Sequence, residues 1–161
     1  MRLLQGLVFA AAWISGPTAA ITTPKPSEAC SLKARGPLLH KLQDAAIKDF
    51  AQIFFIDRNP KKAFDKYVPG RYIEHNPNGL SGRENAISFL TGFLATPGLT
   101  VTNLTAYAGG GFGHMRFREG VKGEFDRVVS DRLKFEGTCF VEHWDVSQDV
   151  TGQETNPLAW F

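Results

Sequence analysis

The spacing of apolar residues predicts helices in the first half of the chain. Leucine, alanine and phenylalanine recur every three or four positions over residues 37–56, which is the pattern of one buried helical stripe. The pair 59-NP-60 predicts an N-cap followed by proline in the first turn, so a second, short helix should run to about Tyr67. The segment 81-SGRE-84 has the spacing of a capping box and predicts a third helix, which 97-PG-98 ends.

The second half of the chain changes to the pattern of β-strands. After a brief extended piece at Tyr72–His75, glycine-containing turns at 109–111 and 136–137 separate segments rich in β-branched and aromatic residues. The predicted strands are Leu99–Tyr107, Phe112–Phe117, Val121–Phe135, which is long enough to be bent or bulged, and Thr138–Ser147. Helices followed by an antiparallel meander predict an α+β fold with the helices on one face of the sheet.

The first twenty residues have the composition of a secretory signal. Arg2 precedes a mostly apolar run over 3–14, a break at 15-SGP-17 and the small residues 18-TAA-20. The alternative is an uncleaved membrane anchor, but the apolar run is shorter than the roughly 20 residues that a spanning helix needs. The sequence therefore predicts a signal peptide over 1–20, a flexible Pro/Ser/Thr/Lys-rich arm over 21–36 and one domain over 37–161, in a secreted or secretory-lumen protein.

The charge and the aromatic content of the chain indicate which kinds of partner to expect. The 161 residues carry a formal charge of +2, and no basic run alternates with aromatic residues. This balance predicts neither a nucleic-acid partner nor a membrane-surface partner. Thirteen phenylalanines and three tryptophans in so short a chain predict a large apolar interior or a lined cavity.

Two features depend on export. Cys30 and Cys139 are the only cysteines, and in an oxidising compartment they could pair. The alternative is two separate thiols, with Cys139 packed in a strand. Asn103 opens the only glycosylation sequon, 103-NLT-105, which is usable only if the chain is exported.

The stretch 138-TCFVEHWDVSQ-148 carries the main candidate chemistry, because it places acids and an imidazole in a strand that otherwise reads as buried. Regular alternation puts Glu142 on one face with Phe140 and Trp144, and puts His143 and Asp145 on the other. If the first face points inward, Glu142 is hydrogen-bonded or has a raised pKa suited to acid–base catalysis. The alternative is a structural glutamate tied to a backbone amide or to an arginine such as Arg132.

Other ionisable residues have both functional and structural interpretations. His143 and Asp145 lie close enough to couple, or else form a solvated or dimer-facing edge. His75 precedes a rigid Asn-Pro turn and suits a cavity mouth, although a lone histidine there is more often structural. Asp131 is in phase with the apolar residues 129, 133 and 135. No HxH, HExxH or Cys/His spacing is present, so we expect no metal.

Two segments together carry a family resemblance. The stretches 72-YIEHNPNGLSG-82 and 131-DRLKFEGTCFVEHWDVSQ-148 resemble the SnoaL-like polyketide cyclase family, and the spacing from Asp131 through Gly137 to Glu142 fits that pattern without a gap. His114 falls where the family often has a histidine. The similarity extends from about Leu38 to the C-terminus. It implies the cone-shaped α+β fold shared with ketosteroid isomerases and scytalone dehydratase, in which helices pack on a curved antiparallel sheet around a deep apolar pocket.

Two departures from related patterns affect the mechanism. Ketosteroid isomerases place their base carboxylate before a proline in a comparable position, where this chain has Asn76, so the resemblance leaves His75, Asp145 or Glu142 as the proton acceptor. The family also tends to have a Gly-Asp turn before its middle strand, where this chain has Ala108 and three glycines. The substrate therefore stays open.

The resemblance implies a cofactor-independent cyclase or isomerase that acts through an enol or enolate on a polyketide-like carbonyl compound. Such a reaction would be a ring-forming or dimerising step of specialised metabolism, and the protein is expected to be a homodimer with neither metal nor organic cofactor. The expected catalytic residues are His75, Glu142, His143 and Asp145, and the expected substrate-binding residues are Tyr72, Asn76, His114, Asp131 and Trp144. The alternatives are a dehydratase of the scytalone type and a non-catalytic module that binds a small molecule.

Overall fold

The computed structural model describes residues 29–156 together with Trp160. The expected signal peptide and the expected arm up to residue 28 lie outside the described residues. The helices are α1 (Leu39–Ala51), α2 (Pro60–Tyr67) and α3 (Arg83–Leu94), and a π-helical segment, Gln52–Ile56, continues α1. Among the described helices, none is both long enough and apolar enough to cross a bilayer.

The first predicted helix changes its winding near its end. The α-helical part buries Ile47 and Phe50, as the apolar stripe predicts. The π-helical segment then buries the three consecutive residues Ile53, Phe54 and Phe55. A π-helix turns less per residue than an α-helix, so neighbouring side chains can share one side of it. All three thus reach the core, and Phe54 and Phe55 come to line the cavity.

The two predicted helix starts have different outcomes. The side chain of Asn59 accepts a hydrogen bond from the backbone N–H of Lys62, which confirms the N-cap of α2. The predicted capping box of α3 is wrong. Gly82 is the N-cap, with φ of 108°, and no side chain caps the helix. Ser81 Oγ instead accepts a hydrogen bond from the backbone N–H of Glu74 at 3.0 Å. This serine therefore fixes the backbone of Glu74 and does not cap the helix.

Five strands form one mixed sheet. They are β1 (Ile73–Glu74), β2 (Thr100–Gly109), β3 (Phe112–Val121), β4 (Phe125–Glu136) and β5 (Cys139–Asp149), in the order β1-β5-β4-β3-β2. Strands β2 to β5 form the predicted antiparallel meander. Strand β1 pairs parallel to β5, which the sequence did not indicate.

One strand boundary was predicted wrongly. The sequence suggests a strand that ends at Phe117 and another that starts at Val121, but β3 runs on to Val121 and a turn over residues 122–124 leads into β4. Gly123 in this turn has a φ of 85°, a left-handed conformation that glycine adopts without strain. The correction matters because it places Glu119 inside a strand.

The helices pack against one face of the sheet. A Cβ at Gly113 in β3 would lie 2.8 Å from the Cδ1 of Ile47, so glycine is what allows α1 to approach this closely. Phe50 of α1 lies in contact with the rings of Phe64 and Phe140, at centroid distances of 6.0 and 5.1 Å. The core therefore joins helix α1, helix α2 and strand β5.

A disulfide bond joins Cys30 to Cys139, across 109 positions of sequence. It ties the segment before α1 to the start of β5. The same junction is held by a hydrogen bond from the backbone N–H of Thr138 to the carbonyl of Ser31, at 3.0 Å. The pairing considered from the sequence is thus present in the structure.

We expect the double variant Cys30→Ser/Cys139→Ser to be less stable than the wild type by about 4–5 kcal/mol, because the crosslink restricts a loop of over a hundred residues in the unfolded chain. Urea unfolding of both proteins measures the difference. Treating the wild type with a reductant should reproduce the loss. An unchanged midpoint in both experiments would show that the bond does not stabilise the fold.

Candidate active site

A cavity of about 550 Å³ lies between the helices and the sheet. Its wall is mostly apolar, with Phe50, Phe54 and Phe64 on the helical side and Phe117 and Leu133 on the sheet side. Leu80 and Phe89 also border the cavity and are 75% and 71% exposed, which places them where it meets solvent. A pocket of this size and character suits a small organic ligand.

A β-bulge in β5 decides which side chains enter this cavity. Lys134 of β4 pairs with Glu142, but the next residue, Phe135, pairs with Phe140, so one residue of β5 is skipped. A bulge of this kind shifts the in–out alternation by one position. Phe140 is therefore buried in the core on the same side as His143, and regular alternation was wrong in placing it with Glu142.

His143 is the positive centre of the polar cluster in the cavity. Its Nδ1 lies 2.8 and 3.0 Å from the two carboxylate oxygens of Glu74, and its Nε2 lies 3.6 Å from Oδ1 of Asp131. Burial alone would lower the pKa of His143, but the contacts with Asp131 and Glu74 outweigh it and raise the pKa to about 10. The imidazole is therefore a cation at neutral pH.

Glu74 holds the imidazolium from strand β1. Parallel pairing sets Glu74 directly beside His143. Burial opposes the ionisation of Glu74, but hydrogen bonds from His143 and from the backbone N–H of Asn76 outweigh it and lower its pKa. The hydroxyl of Tyr72 lies 3.5 Å from the same carboxylate. Glu74 is thus a fixed anion that, together with Asp131, keeps His143 charged.

Two aspartates face each other across β4 and β5. Asp131 pairs with Asp145 in the sheet register, and both line the cavity. Burial raises the pKa of Asp131, although the neighbouring His143 opposes that shift. The side-chain amide of Asn76 lies 2.8 Å from both carboxylate oxygens of Asp145 and fixes its orientation. Three carboxylates therefore surround one imidazolium, and Asp131 is the one that burial favours in its protonated form.

The same residues include a possible metal-ligand set. Ligand atoms of Asp131, His143 and Asp145 all lie within 4.8 Å of one another. A metal needs a lone pair on the imidazole, and an imidazolium has none. Metal binding and the protonated form of His143 therefore exclude each other at this position.

Two of the expected catalytic residues lie on the other face of the sheet. His75 Nε2 is 3.0 Å from Oε2 of Glu142, and Lys134 Nζ is 2.6 Å from Oε1. Hydrogen bonds from Lys134 and His75 lower the pKa of Glu142, so the hypothesis of a raised pKa is wrong for this residue. Lys134 holds Glu142 in place of the suggested Arg132. Neither His75 nor Glu142 lines the cavity.

Two expected substrate-binding residues also lie outside the cavity. Trp144 stacks on His75 with ring centroids 4.2 Å apart, and His114 stacks on Tyr107 at 5.1 Å. Burial and the charge of Arg132 lower the pKa of His114. Of the expected site residues, the cavity brings together Tyr72, Asn76, Asp131, His143 and Asp145. Asn103 is exposed and lies at an irregularity of β2.

Three charged residues of the cavity were not predicted from the sequence. They are Glu74, Glu119 and Arg127. Glu74 lies within the YIEHNP stretch, but only the parallel pairing of β1 with β5 shows that it meets His143. Glu119 and Arg127 pair directly across β3 and β4, and the misplaced strand boundary hid that relation.

Comparison with known proteins identifies the fold. No family model matches the chain, and no curated protein matches it. TsrD from Streptomyces laurentii matches with a TM-score of 0.52 at 18% identity, over 65% of this chain and 89% of that one. A SnoaL-like polyketide cyclase candidate from Jannaschia sp. CCS1 matches with a TM-score of 0.51 at 15% identity, over 72% and 91%. The chain has the SnoaL-like cone fold.

A third solved structure agrees with this assignment. It is a polyketide cyclase candidate from Acidithiobacillus ferrooxidans, with a TM-score of 0.50 at 16% identity, over 65% of this chain and 86% of that one. The fold expected from the two sequence motifs is therefore confirmed. At these identities the likeness concerns the SnoaL-like fold, and the chemistry has to be argued from the cavity itself.

The raised pKa of His143 predicts how stability depends on pH. A group whose pKa rises on folding contributes its full stabilisation below the unfolded value, here about 6.5, and loses it as the pH rises through the folded value, here about 10. The stability difference between the wild type and His143→Gln should therefore shrink between pH 7 and pH 10. Urea unfolding at several pH values measures it.

The matched control is His114→Gln on the outer face of the sheet, where the pKa is lowered. Its stability difference from the wild type should stay constant across the same interval. A constant difference for His143→Gln as well would contradict the buried imidazolium.

Proposed function

We propose that the cavity transfers a proton next to a carbonyl group, as a cofactor-independent cyclase or isomerase acting through an enol or enolate. One observation carries the proposal: a carboxyl group with a raised pKa, Asp131, lies 3.6 Å from the protonated Nε2 of His143 inside an apolar cavity. A base next to a hydrogen-bond donor is the arrangement that enolisation needs.

Asp131 and His143 have complementary roles in this reaction. In its ionised form, Asp131 takes the proton from the carbon beside the carbonyl. The C–H electron pair then forms the C=C bond of the enolate, and the C=O π pair moves to the oxygen. The Nε2–H of His143 donates a hydrogen bond to that oxygen as its negative charge develops. Asp131 then returns the proton at another carbon, or the enolate attacks a second carbonyl of the same molecule and Asp131 gives its proton to the alkoxide that forms. No electron donor or acceptor is needed.

The surroundings favour this chemistry. Aromatic and aliphatic walls exclude water, which strengthens the hydrogen bond to the developing oxyanion. Glu74 keeps His143 protonated, so the donor is in place before the substrate binds. Asp145, oriented by Asn76, borders the same space and offers a second carboxylate to the substrate.

The polyketide-like substrate is also part of the proposal. Two solved proteins of the same fold are named as candidate polyketide cyclases. The cavity volume and its phenylalanine lining suit a flat, mostly apolar carbonyl compound of specialised metabolism. The raised pKa of Asp131 favours a dehydratase as the alternative, because a protonated carboxyl could protonate a leaving hydroxyl group.

We further propose that the protein is secreted, glycosylated at Asn103 and dimeric. The disulfide between Cys30 and Cys139 supports an oxidising compartment. The outer face of the sheet carries exposed apolar side chains, Tyr107 and Val146, and a second copy of the chain would bury them.

The test is hydrogen–deuterium exchange beside the carbonyl of 2-tetralone, a small flat ketone, followed by proton NMR. Asp131→Asn should slow the enzyme-dependent exchange by about a hundredfold or more, because general base catalysis contributes factors of that size. Glu142→Gln on the outer face is the matched control and should stay within about twofold of the wild type.

Equal exchange rates for Asp131→Asn and the wild type would contradict the role of Asp131. An absence of enzyme-dependent exchange in the wild type would favour a binding module over an enzyme.

A further inference from the structure

The cavity contains a second polar pair, Glu119 and Arg127, which the proposed reaction does not use. The two residues face each other across β3 and β4. Nε and Nη2 of Arg127 lie 2.7 and 2.6 Å from the same oxygen of Glu119, Oε1. The side chain of Glu119 is 5% exposed, whereas that of Arg127 is 36% exposed. A charged pair is thus built into an otherwise apolar wall.

The pair keeps hydrogen-bonding capacity for a ligand. Both contacts fall on Oε1, so within the described part of the chain Oε2 of Glu119 and Nη1 of Arg127 have no hydrogen-bond partner. The guanidinium lies near the rings of Phe125 and Phe93, with its Cζ 5.0 and 5.9 Å from their centroids. These contacts hold the guanidinium in one place. The pair therefore leaves one acceptor on Glu119 and one donor on Arg127 for a ligand.

The distance from the reacting residues sets the length of the ligand. Arg127 and Asp131 both face the cavity from β4, four residues apart. At about 3.3 Å per residue, their Cα atoms are about 13 Å apart along the strand. A molecule that contacts both ends of the cavity must therefore be elongated, on the scale of two or three fused rings.

We propose that Glu119 and Arg127 form a second binding subsite for a phenol group at the far end of an elongated aromatic ketone. This inference rests on the proposed function, because it takes the reacting carbonyl to lie at Asp131 and His143. The ion pair is neutral overall, so it favours a neutral group over a carboxylate. A phenol hydroxyl can donate to Oε2 of Glu119, the acceptor that Arg127 leaves free.

Three naphthyl ketones of one size test the subsite by equilibrium binding, measured by fluorescence. They are 6-hydroxy-2-acetonaphthone, 6-methoxy-2-acetonaphthone, which accepts but cannot donate, and 2-acetonaphthone, which has no distal oxygen. The wild type should bind the hydroxy ketone about tenfold more tightly than either of the others, because hydrogen bonds to charged groups contribute affinities of this order. Equal affinities, or no binding of any of the three, would overturn the inference.

The double variant Glu119→Leu/Arg127→Met tests the residues themselves. It removes both charges together, so neither is left buried without a partner. We expect it to bind all three ketones equally, with the affinity that the wild type has for 2-acetonaphthone. A variant that keeps the preference for the hydroxy ketone would overturn the assignment, and the comparison in the wild type decides the matter even if this variant does not fold.

Asp131→Asn separates this inference from the proposed function. Binding requires no proton transfer, so this variant should keep the tenfold preference while it loses exchange. If the wild type binds the hydroxy ketone selectively but exchanges no protons, the proposed reaction is contradicted and the proposed subsite is supported. If the wild type exchanges protons but binds the three ketones equally, only the proposed subsite is contradicted.

Discussion

The site depends on the contact between Glu74 and His143. Burial lowers the pKa of this imidazole, and Glu74 acts together with Asp131 to raise it and keep a positive charge in the cavity. The contact exists because β1, only two residues long, pairs parallel to β5 and sets the two side chains next to each other. Ser81 and the backbone N–H of Asn76 then hold Glu74 from outside the sheet. A short strand and a turn thus contribute to keeping His143 protonated.

Much of the fold could be predicted from the sequence because it depends on local pattern. The helical stripes, the cap at Asn59 and the glycine turn at 109–111 are each encoded within a few residues. The α+β arrangement follows from their order, and the two motifs add the cone fold. The end of α1 could not be predicted, because its change to a π-helix depends on what the three apolar residues 53–55 meet in the core.

The candidate site was predictable only in part. The alternation of side chains along β5 correctly grouped His143 with Asp145. The position of Asp131 among the apolar residues of β4 correctly indicated that it faces the same interior side of the sheet. The bulge before Glu142 was not visible, because an extra residue in one strand is defined only by its partner. For the same reason Glu74 and the pair of Glu119 with Arg127 were missed. Their roles arise from pairing between strands, which one sequence does not display.

NMR titration of the ring of His143, assigned by comparison with His143→Gln, is the decisive measurement for a buried imidazolium held between carboxylates. We expect the ring to stay protonated through neutral pH and to lose its proton only near pH 10. A ring that titrates near 6.5, the value of an unperturbed histidine, would contradict it.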